Sequence, residues 1–271
     1  MINEIREAEL NYFFITGTGR SGTMLLSRLF SLGTGFKCEH EQYFLHKSMA
    51  EFIELNDARG YKRDIESLKQ ANFEGSITNF GVSSGHMCFA LPLVAENLGH
   101  KFKTFITVRP PVNFVRSALS RGFFDPSHPH YLEQIRPSET DPIYVRWQIA
   151  SPFEKCLWYW NIVNNSLLDF LEETSPDEYK ITNIEQLNLE DAIELCRFAG
   201  FQSINVREIK VLLAKKVNAT PAPGLEIAQL NPYSLPPQLP DLCDWTDQEL
   251  EQLDQYTTAT RSRYSTLGSL I

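Results

Sequence analysis

The chain has 271 residues, of which 42% are hydrophobic and 22% are charged, the composition of an ordinary globular protein. Its formal net charge of −9 argues against a nucleic-acid-binding surface, because such surfaces are normally basic. No apolar run approaches the ~18 residues of a membrane helix, and the charged start is unlike a signal sequence. We therefore expect a cytoplasmic protein without a membrane span. The five cysteines show no zinc-binding spacing, which predicts reduced thiols and no metal site.

The stretch from Tyr12 to Leu29 is predicted to form a strand, a glycine-rich loop and a helix. Residues with β propensity precede the loop, which runs from Thr16 to Thr23, and apolar residues at helical spacing follow it. Such a unit binds phosphate in α/β proteins, because free N–H groups and the helix dipole attract anions to the helix N-terminus. The sequence therefore predicts a phosphate site at this loop.

Three kinds of phosphate loop share this outline. The dinucleotide pattern G-x-G-x-x-G fits three glycines, Gly17, Gly19 and Gly22. That interpretation predicts an NAD(P)-dependent oxidoreductase with Glu39 or Glu41 on a ribose. The pattern G-x-x-x-x-G-K-[ST] fails, because threonine stands where lysine is required. In the third interpretation, a planar cation, two hydroxyls and a glycine in the range 20–23 form the anion site.

At these residues the sequence resembles the sulfotransferase superfamily, whose 5′-phosphosulfate loop is similar to GTGRSGT. The resemblance implies 3′-phosphoadenosine 5′-phosphosulfate (PAPS) as cosubstrate and 3′,5′-adenosine bisphosphate (PAP) as product, with no metal required. It also implies which loop residues bind the 5′ end of the donor: Gly19, Arg20, Ser21, Gly22, Thr23 and Met24.

A short predicted strand, Phe36–Cys38, delivers ionisable residues at its carboxyl end, where ligands bind in open α/β sheets. Many sulfotransferases carry a glutamate or a His-Glu pair after their second strand, and His40–Glu41 is similar to that pair. The resemblance implies Glu41 as the general base, with His40 as the second choice. Glu39 and Gln42 stay open, because a one-residue shift in register would place either at the base position. A solvated loop with one capping carboxylate is the alternative.

Residues 76–82 are predicted to form a third strand, followed by a helix over 87–98. The polar residues between them are predicted to line the acceptor pocket: Ser83, Ser84 and His86. A serine that caps the helix is the alternative. Some sulfotransferases use Lys-x-His at this place, and this chain lacks the lysine.

A fourth predicted strand, Lys103–Val108, ends in Arg109, and the helix predicted over 113–119 contains Ser117. A magnesium-using P-loop NTPase would carry an aspartate at such a strand end, whereas a cation favours an anionic ligand. The 3′-phosphate motif of sulfotransferases is an arginine at a strand end with a serine eight positions on. The resemblance therefore implies that Arg109 and Ser117 hold the 3′-phosphate, although the aspartate that usually follows the arginine is absent. A structural ion pair between Arg109 and a carboxylate is the alternative.

The remaining segments carry weaker signals. Residues 121–145 hold four prolines without periodicity and are predicted to form a lid or an acceptor-recognition loop. The aromatic helix predicted over 153–171 is interpreted as core. By resemblance, Lys215 or Lys216 is a weak candidate for the 3′-phosphate, and residues 221–240 are predicted to form a proline-rich surface extension.

These segments together predict one sulfotransferase-like α/β domain over residues 1–271. The expected fold class is doubly wound and three-layered, a mainly parallel sheet with helices on both faces, similar to P-loop NTPases. The implied reaction is in-line sulfuryl transfer from PAPS to a hydroxyl or amine, with Arg20 stabilising the departing 5′-phosphate. The acceptor, whether a small molecule, a carbohydrate or a lipid, stays open, as does a homodimer. A non-catalytic nucleotide-binding protein is a further alternative.

Overall fold

The computed structural model describes residues 10–71, 76–99, 102–127, 134–215 and 245–268. Its strands are β1 (Asn11–Gly17), β2 (Phe36–His40), β3 (Asn79–Ser83), β4 (Phe102–Val108) and β5 (Tyr179–Asn183). They form one sheet in the order β2-β3-β1-β4-β5, and every neighbouring pair is parallel. The predicted parallel sheet is therefore confirmed.

Helices connect the strands: α1 (Thr23–Phe30), α2 (His46–Leu55), α3 (Arg59–Lys69), α4 (Leu91–Leu98), α5 (Pro111–Leu119), α6 (Pro152–Glu172), α7 (Leu189–Ala199), α8 (Val206–Ala214) and α9 (Asp247–Thr266). Alternate residues of β1 belong to two separate buried clusters, as the two-residue period of a strand requires. Phe13 and Ile15 lie with side chains of α1, α7 and α8, whereas Phe14 lies with side chains of α2 to α6 and α9. Helices therefore cover both faces, which confirms the three-layer prediction.

The strand order places β1 at the centre of the sheet, between β3 and β4. The loop after β1 therefore opens at the middle of the carboxyl edge, where ligands bind in open α/β sheets. The usual dinucleotide-binding order, 3-2-1-4-5-6, has β2 beside β1. In this chain β2 lies at the edge of the sheet, with β3 between it and β1.

Several element boundaries differ from the predictions; β3, for example, begins at Asn79 rather than at residue 76. β2 continues to His40, two residues beyond its predicted end, because it pairs with β3 up to Ser83. The helix predicted over 87–98 is divided into a 3₁₀ turn, Gly85–Met87, and α4. A proline in the first turn of α4 explains the later start, because proline is favoured there and lacks the N–H that a helix interior needs.

Several sequence predictions fall outside the described residues: Lys216, residues 128–133 of the expected lid, and the proline-rich segment 221–240. Within the described ranges, no helix combines the length and apolar character that a membrane span needs. In the same ranges, no group of three or more His, Cys, Asp or Glu side chains is arranged to hold a metal ion.

Candidate functional site

The glycine loop between β1 and α1 is packed too closely for side chains at two positions. A Cβ atom on Gly17 would lie 2.1 Å from the carbonyl oxygen of Thr107, and one on Gly22 would lie 2.2 Å from Cγ1 of Ile184. Gly22 also has a φ of 93°, a left-handed conformation that favours glycine, and it caps the N-terminus of α1. The N–H groups of the first turn of α1 therefore lie at the carboxyl edge of the sheet.

Ser21 stabilises this loop from the inside. Its side chain is fully buried, its hydroxyl donates to the carbonyl of Thr18, and it lies 2.8 Å from the hydroxyl of Thr107. The prediction that Ser21 contacts the ligand is therefore not supported by its side-chain position, because the hydroxyl is used by the protein.

Arg20 lies in a cationic environment. Its Nε–H donates to the hydroxyl of Ser117 at 3.4 Å, across 97 positions of sequence. The pKa of Arg20 is lowered to about 10, chiefly by burial and then by the nearby charges of Arg121 and Arg109, whereas Glu41 opposes the shift. The guanidinium still carries its charge at neutral pH, and an anionic ligand would offset the repulsion between these cations.

Arg109, at the end of β4, is engaged by the protein. Its Nε–H donates to Oε1 of Glu185 at 2.6 Å, and its Nη1 donates to the carbonyl of Arg20 at 3.3 Å. The indole N–H of Trp160 donates to the backbone carbonyl of Arg109 at 3.0 Å. The ion pair considered from the sequence is thus present, and its two side chains are 24% and 34% exposed. An anion could therefore reach Arg109 from solvent.

One cavity of about 900 Å³ joins these groups. Most of the site residues predicted from the sequence line it: Gly19, Arg20, Gly22, Thr23, Met24, His40, Glu41, His86 and Arg109, with the weaker candidate Lys215. Within the described chain, four predicted residues do not line it: Ser21, Ser83, Ser84 and Ser117. Each of these serines instead takes part in a hydrogen bond with a neighbouring protein group.

The ring of His40 is oriented by Ser83. The Ser83 hydroxyl donates to the carbonyl of Thr23 at 2.9 Å and lies 3.2 Å from Nδ1 of His40. A serine hydroxyl has one proton, so Ser83 must accept a hydrogen bond from Nδ1–H. This assigns the proton of neutral His40 to Nδ1 and leaves the lone pair on Nε2, which lies 3.8 Å from Oε1 of Glu41.

Glu41 follows β2 in a left-handed conformation, with a φ of 55°, and its side chain is about half exposed. Its backbone N–H donates to the carbonyl of Ser83 at 2.8 Å, which ties it to the end of β3. Glu39 instead forms an ion pair with Lys37, and Gln42 is exposed. Within the described ranges, neither Glu39 nor Gln42 lines the cavity. The structure thus brings His40 and Glu41, of the four candidates, to the cavity.

Ser84 and His86 have different roles from one another. Ser84 is fully buried, and its hydroxyl accepts from the backbone N–H of His86 at 3.0 Å, so it caps the 3₁₀ turn. The ring of His86 lines the cavity and packs edge-on against His46, with centroids 5.2 Å apart. Burial lowers the pKa of His86; Glu41 and the backbone of Phe44 oppose this shift. The nearby His40 lowers the pKa further.

The sequence interpretation missed Tyr159, which was assigned to the core helix. The ring of Tyr159 does pack on Phe114, with centroids 5.8 Å apart, but the residue also lines the cavity. Its hydroxyl shares a hydrogen bond with the backbone of Gly19. The sequence shows only a tyrosine between two tryptophans in an apolar helix. That pattern does not distinguish a core residue from a site residue.

No protein-family model matches the chain, and no curated protein sequence matches it. Among solved structures, a sulfotransferase from Alicyclobacillus acidocaldarius matches at 16% identity over 95% of both chains, with a TM-score of 0.53. A mouse sulfotransferase complexed with PAP matches at 12% identity over 97% of this chain and 92% of that chain, with a TM-score of 0.51. The sulfotransferase domain of a Synechococcus olefin synthase matches at 14% identity over 97% and 96%, with a TM-score of 0.51. The chain thus has the P-loop-like α/β fold of the sulfotransferases.

Proposed function

We propose that this protein is a PAPS-dependent sulfotransferase, which transfers a sulfuryl group to a hydroxyl or amine of an acceptor. The observation that carries the proposal is that a single cavity of about 900 Å³ contains both Arg20, beside the N-terminus of α1, and the His40–Glu41 pair. Transfer of an anionic group needs a cationic and N–H-rich site for the donor and a proton acceptor within reach of the nucleophile. This cavity supplies both.

The donor would be held mainly by the loop between β1 and α1. The N–H groups at Gly22–Met24 and the guanidinium of Arg20 suit a 5′-phosphosulfate. Arg109 and Ser117 are proposed to hold the 3′-phosphate, as the motif resemblance implies. The approach of Arg20 to Ser117 supports this arrangement, because it brings the two anion-binding elements next to each other.

In the proposed reaction, the acceptor oxygen or nitrogen forms a bond to sulfur while the bond from sulfur to the 5′-phosphate oxygen breaks. Glu41 takes the acceptor proton, or Nε2 of His40 takes it in place of Glu41. Arg20 and the N–H groups of the loop stabilise the negative charge that develops on the departing phosphate. PAP and the sulfated acceptor are the products, and the scheme requires no metal.

The oxidoreductase alternative fits the sheet less well. In the usual dinucleotide-binding order, the acidic residue that binds the ribose follows a strand directly beside β1. Glu39 and Glu41 follow an edge strand instead, with β3 between it and β1. The fold and its PAP-bound mouse relative therefore favour a bisphosphate ligand over NAD.

A thermal-shift comparison of PAP, 5′-AMP, NAD and Mg·ATP tests the proposal. A ligand at ~100 times its Kd stabilises the native protein by about 2.7 kcal/mol, which raises Tm by a few degrees for a chain of this size. We expect a shift with PAP that does not depend on magnesium and exceeds the shift with 5′-AMP. A shift with NAD and none with PAP would contradict the proposal. Release of PAP from PAPS in the presence of a panel of alcohols, phenols, amines and sugars then separates an enzyme from a non-catalytic nucleotide-binding protein.

A further inference from the structure

Tyr159 lies where the glycine loop meets the acid–base pair. Its hydroxyl is 4.0 Å from the position that a Cβ atom would take on Gly19, and its side chain lines the same cavity as Arg20 and Glu41. The residue is only 6% exposed, so it lines the cavity from a nearly buried position. The charge of Glu41 acts on this hydroxyl, which is a second indication that the phenol lies near the end of β2.

The ring of Tyr159 is fixed by three aromatic neighbours. Phe114 stacks on it with an interplanar angle of 18°, and Phe123 and Phe124 pack around it with centroids 6.4 and 6.5 Å away. A side chain held in this way loses little further conformational entropy when it binds a ligand. The phenol is therefore a preorganised group rather than a mobile one.

The hydroxyl of Tyr159 is suited to donate a hydrogen bond. Burial raises the pKa of Tyr159 above its ordinary value, with a further contribution from Glu41, while the backbone of Gly19 opposes the shift. The phenol therefore keeps its proton. A backbone N–H can only donate, so the bond with Gly19 uses a lone pair of the phenol oxygen and leaves its proton available. In the part of the chain that the structure describes, this hydroxyl donates to no side chain and no carbonyl.

We propose that Tyr159 contacts the sulfuryl group itself, by donating its hydroxyl hydrogen bond to a sulfuryl oxygen of PAPS. This inference rests on the proposed function. The position between the loop that would hold the 5′-phosphate and the pair that would take the acceptor proton is the position of the transferred group. Tyr159 would also hold the sulfuryl group in line with the acceptor, since transfer depends on alignment of the attacking and leaving atoms.

The test compares two ligands that differ by the sulfuryl group, PAPS and PAP, on wild-type protein and on Tyr159→Phe, by isothermal titration. The variant keeps the ring and its packing. We expect its affinity for PAPS to fall about tenfold or more, because a hydrogen bond to an anionic group is lost. Its affinity for PAP should stay within about twofold of wild type, well below the effect of a lost charge-assisted hydrogen bond.

Tyr264→Phe is the matched control, because Tyr264 is also a buried tyrosine, and its hydroxyl donates to Asn164 at 2.8 Å on the α6–α9 contact. This control should leave both affinities unchanged. Equal losses for PAPS and PAP in Tyr159→Phe, or no loss for either, would overturn the assignment of Tyr159. Failure of the wild-type protein to bind either ligand would instead overturn the proposed function.

Discussion

The Nδ1 atom of His40 lies 3.2 Å from the hydroxyl of Ser83, and that hydroxyl donates to the carbonyl of Thr23 at 2.9 Å. Three elements meet in these two contacts: the end of β2, the end of β3 and the first residue of α1. Ser83 was expected to contact the acceptor, but it is fully buried and holds the imidazole against the phosphate loop. The candidate base and the candidate donor site are therefore positioned by the same serine.

We predict that Ser83→Ala lowers turnover without weakening PAP binding. The substitution removes the acceptor for Nδ1–H of His40, so the ring loses its fixed tautomer and orientation, and misplaced catalytic groups cost about 10- to 100-fold. Release of PAP from PAPS with the first active acceptor of the panel measures turnover, and titration measures PAP affinity. Ser84→Ala is the control, because Ser84 caps the 3₁₀ turn and is not bonded to His40. Wild-type turnover in Ser83→Ala would show that His40 does not depend on this contact.

Glu41→Gln should lower kcat by roughly 10²–10⁴-fold, because the substitution removes the proton acceptor and preserves its shape. The control is Glu39→Gln, two positions away, whose carboxylate pairs with Lys37 and lies outside the cavity lining; it should turn over almost normally. The same steady-state assay serves both variants. Near-normal turnover in Glu41→Gln, with a large loss in His40→Gln, would transfer the role of base to His40.

Arg109→Ala should weaken PAP binding by about 10- to 100-fold, because it removes a charge-assisted contact to the 3′-phosphate. The free energy of unfolding should fall by only about 1 kcal/mol, since the ion pair of Arg109 with Glu185 is partly exposed and such pairs contribute little. Titration with PAP and with 5′-AMP separates the two phosphates: 5′-AMP affinity should change much less. Unchanged PAP affinity in Arg109→Ala would contradict the assignment of Arg109 to the 3′-phosphate.

Glu185→Gln is the partner experiment to Arg109→Ala. In the structure, the carboxylate of Glu185 lies 2.6 Å from Nε of Arg109. It would therefore lie beside a phosphate bound to Arg109. The neutral amide should therefore raise PAP affinity, because it releases the guanidinium and removes a like charge. A loss of PAP affinity in Glu185→Gln would indicate that the ion pair holds Arg109 in its binding position.

The parts of the site that were predictable are those encoded by adjacent residues. The loop from Thr16 to Thr23 follows a strand and precedes a helix, and the pattern GTGRSGT specifies that turn locally. His40 and Glu41 could be predicted to lie at a strand end in the same way, because the residues just before them have the pattern of a strand. Parallel strands share a carboxyl edge, so local signals were enough to bring the loop, the pair and Arg109 together.

The parts that were not predictable depend on which elements become neighbours. Ser83 contacts His40 because β3 is inserted next to β2, a strand order that no local pattern specifies. The same holds for Glu185, which meets Arg109 because β5 pairs with β4 and the segment after β5 begins at the same edge. Tyr159 lies in a helix whose apolar pattern correctly predicts that the helix packs in the core. That pattern does not predict that the residue also lines the cavity.

His86 gives a prediction for the dependence of stability on pH. Burial lowers the pKa of His86 below the ordinary value of about 6.5, so the unfolded chain binds more protons than the native chain between these two pKa values. Stability then rises with pH through that window. The native protein is destabilised as the pH falls from about 6.5 through the folded pKa, because the buried ring must take up a charge.

We therefore expect His86→Gln to lose less stability than wild type when urea unfolding at pH 7.5 is compared with unfolding at pH 5.5. The groups near His86 also titrate or carry charge: His40 repels its charged form, Glu41 favours it, and the ring of His46 packs against it. His46→Gln is the matched control, since it removes the neighbouring ring and leaves His86 in place. If the variant at position 86 and wild type lose equal stability between the two pH values, the pKa of His86 does not differ between the folded and unfolded chains, and the prediction is wrong.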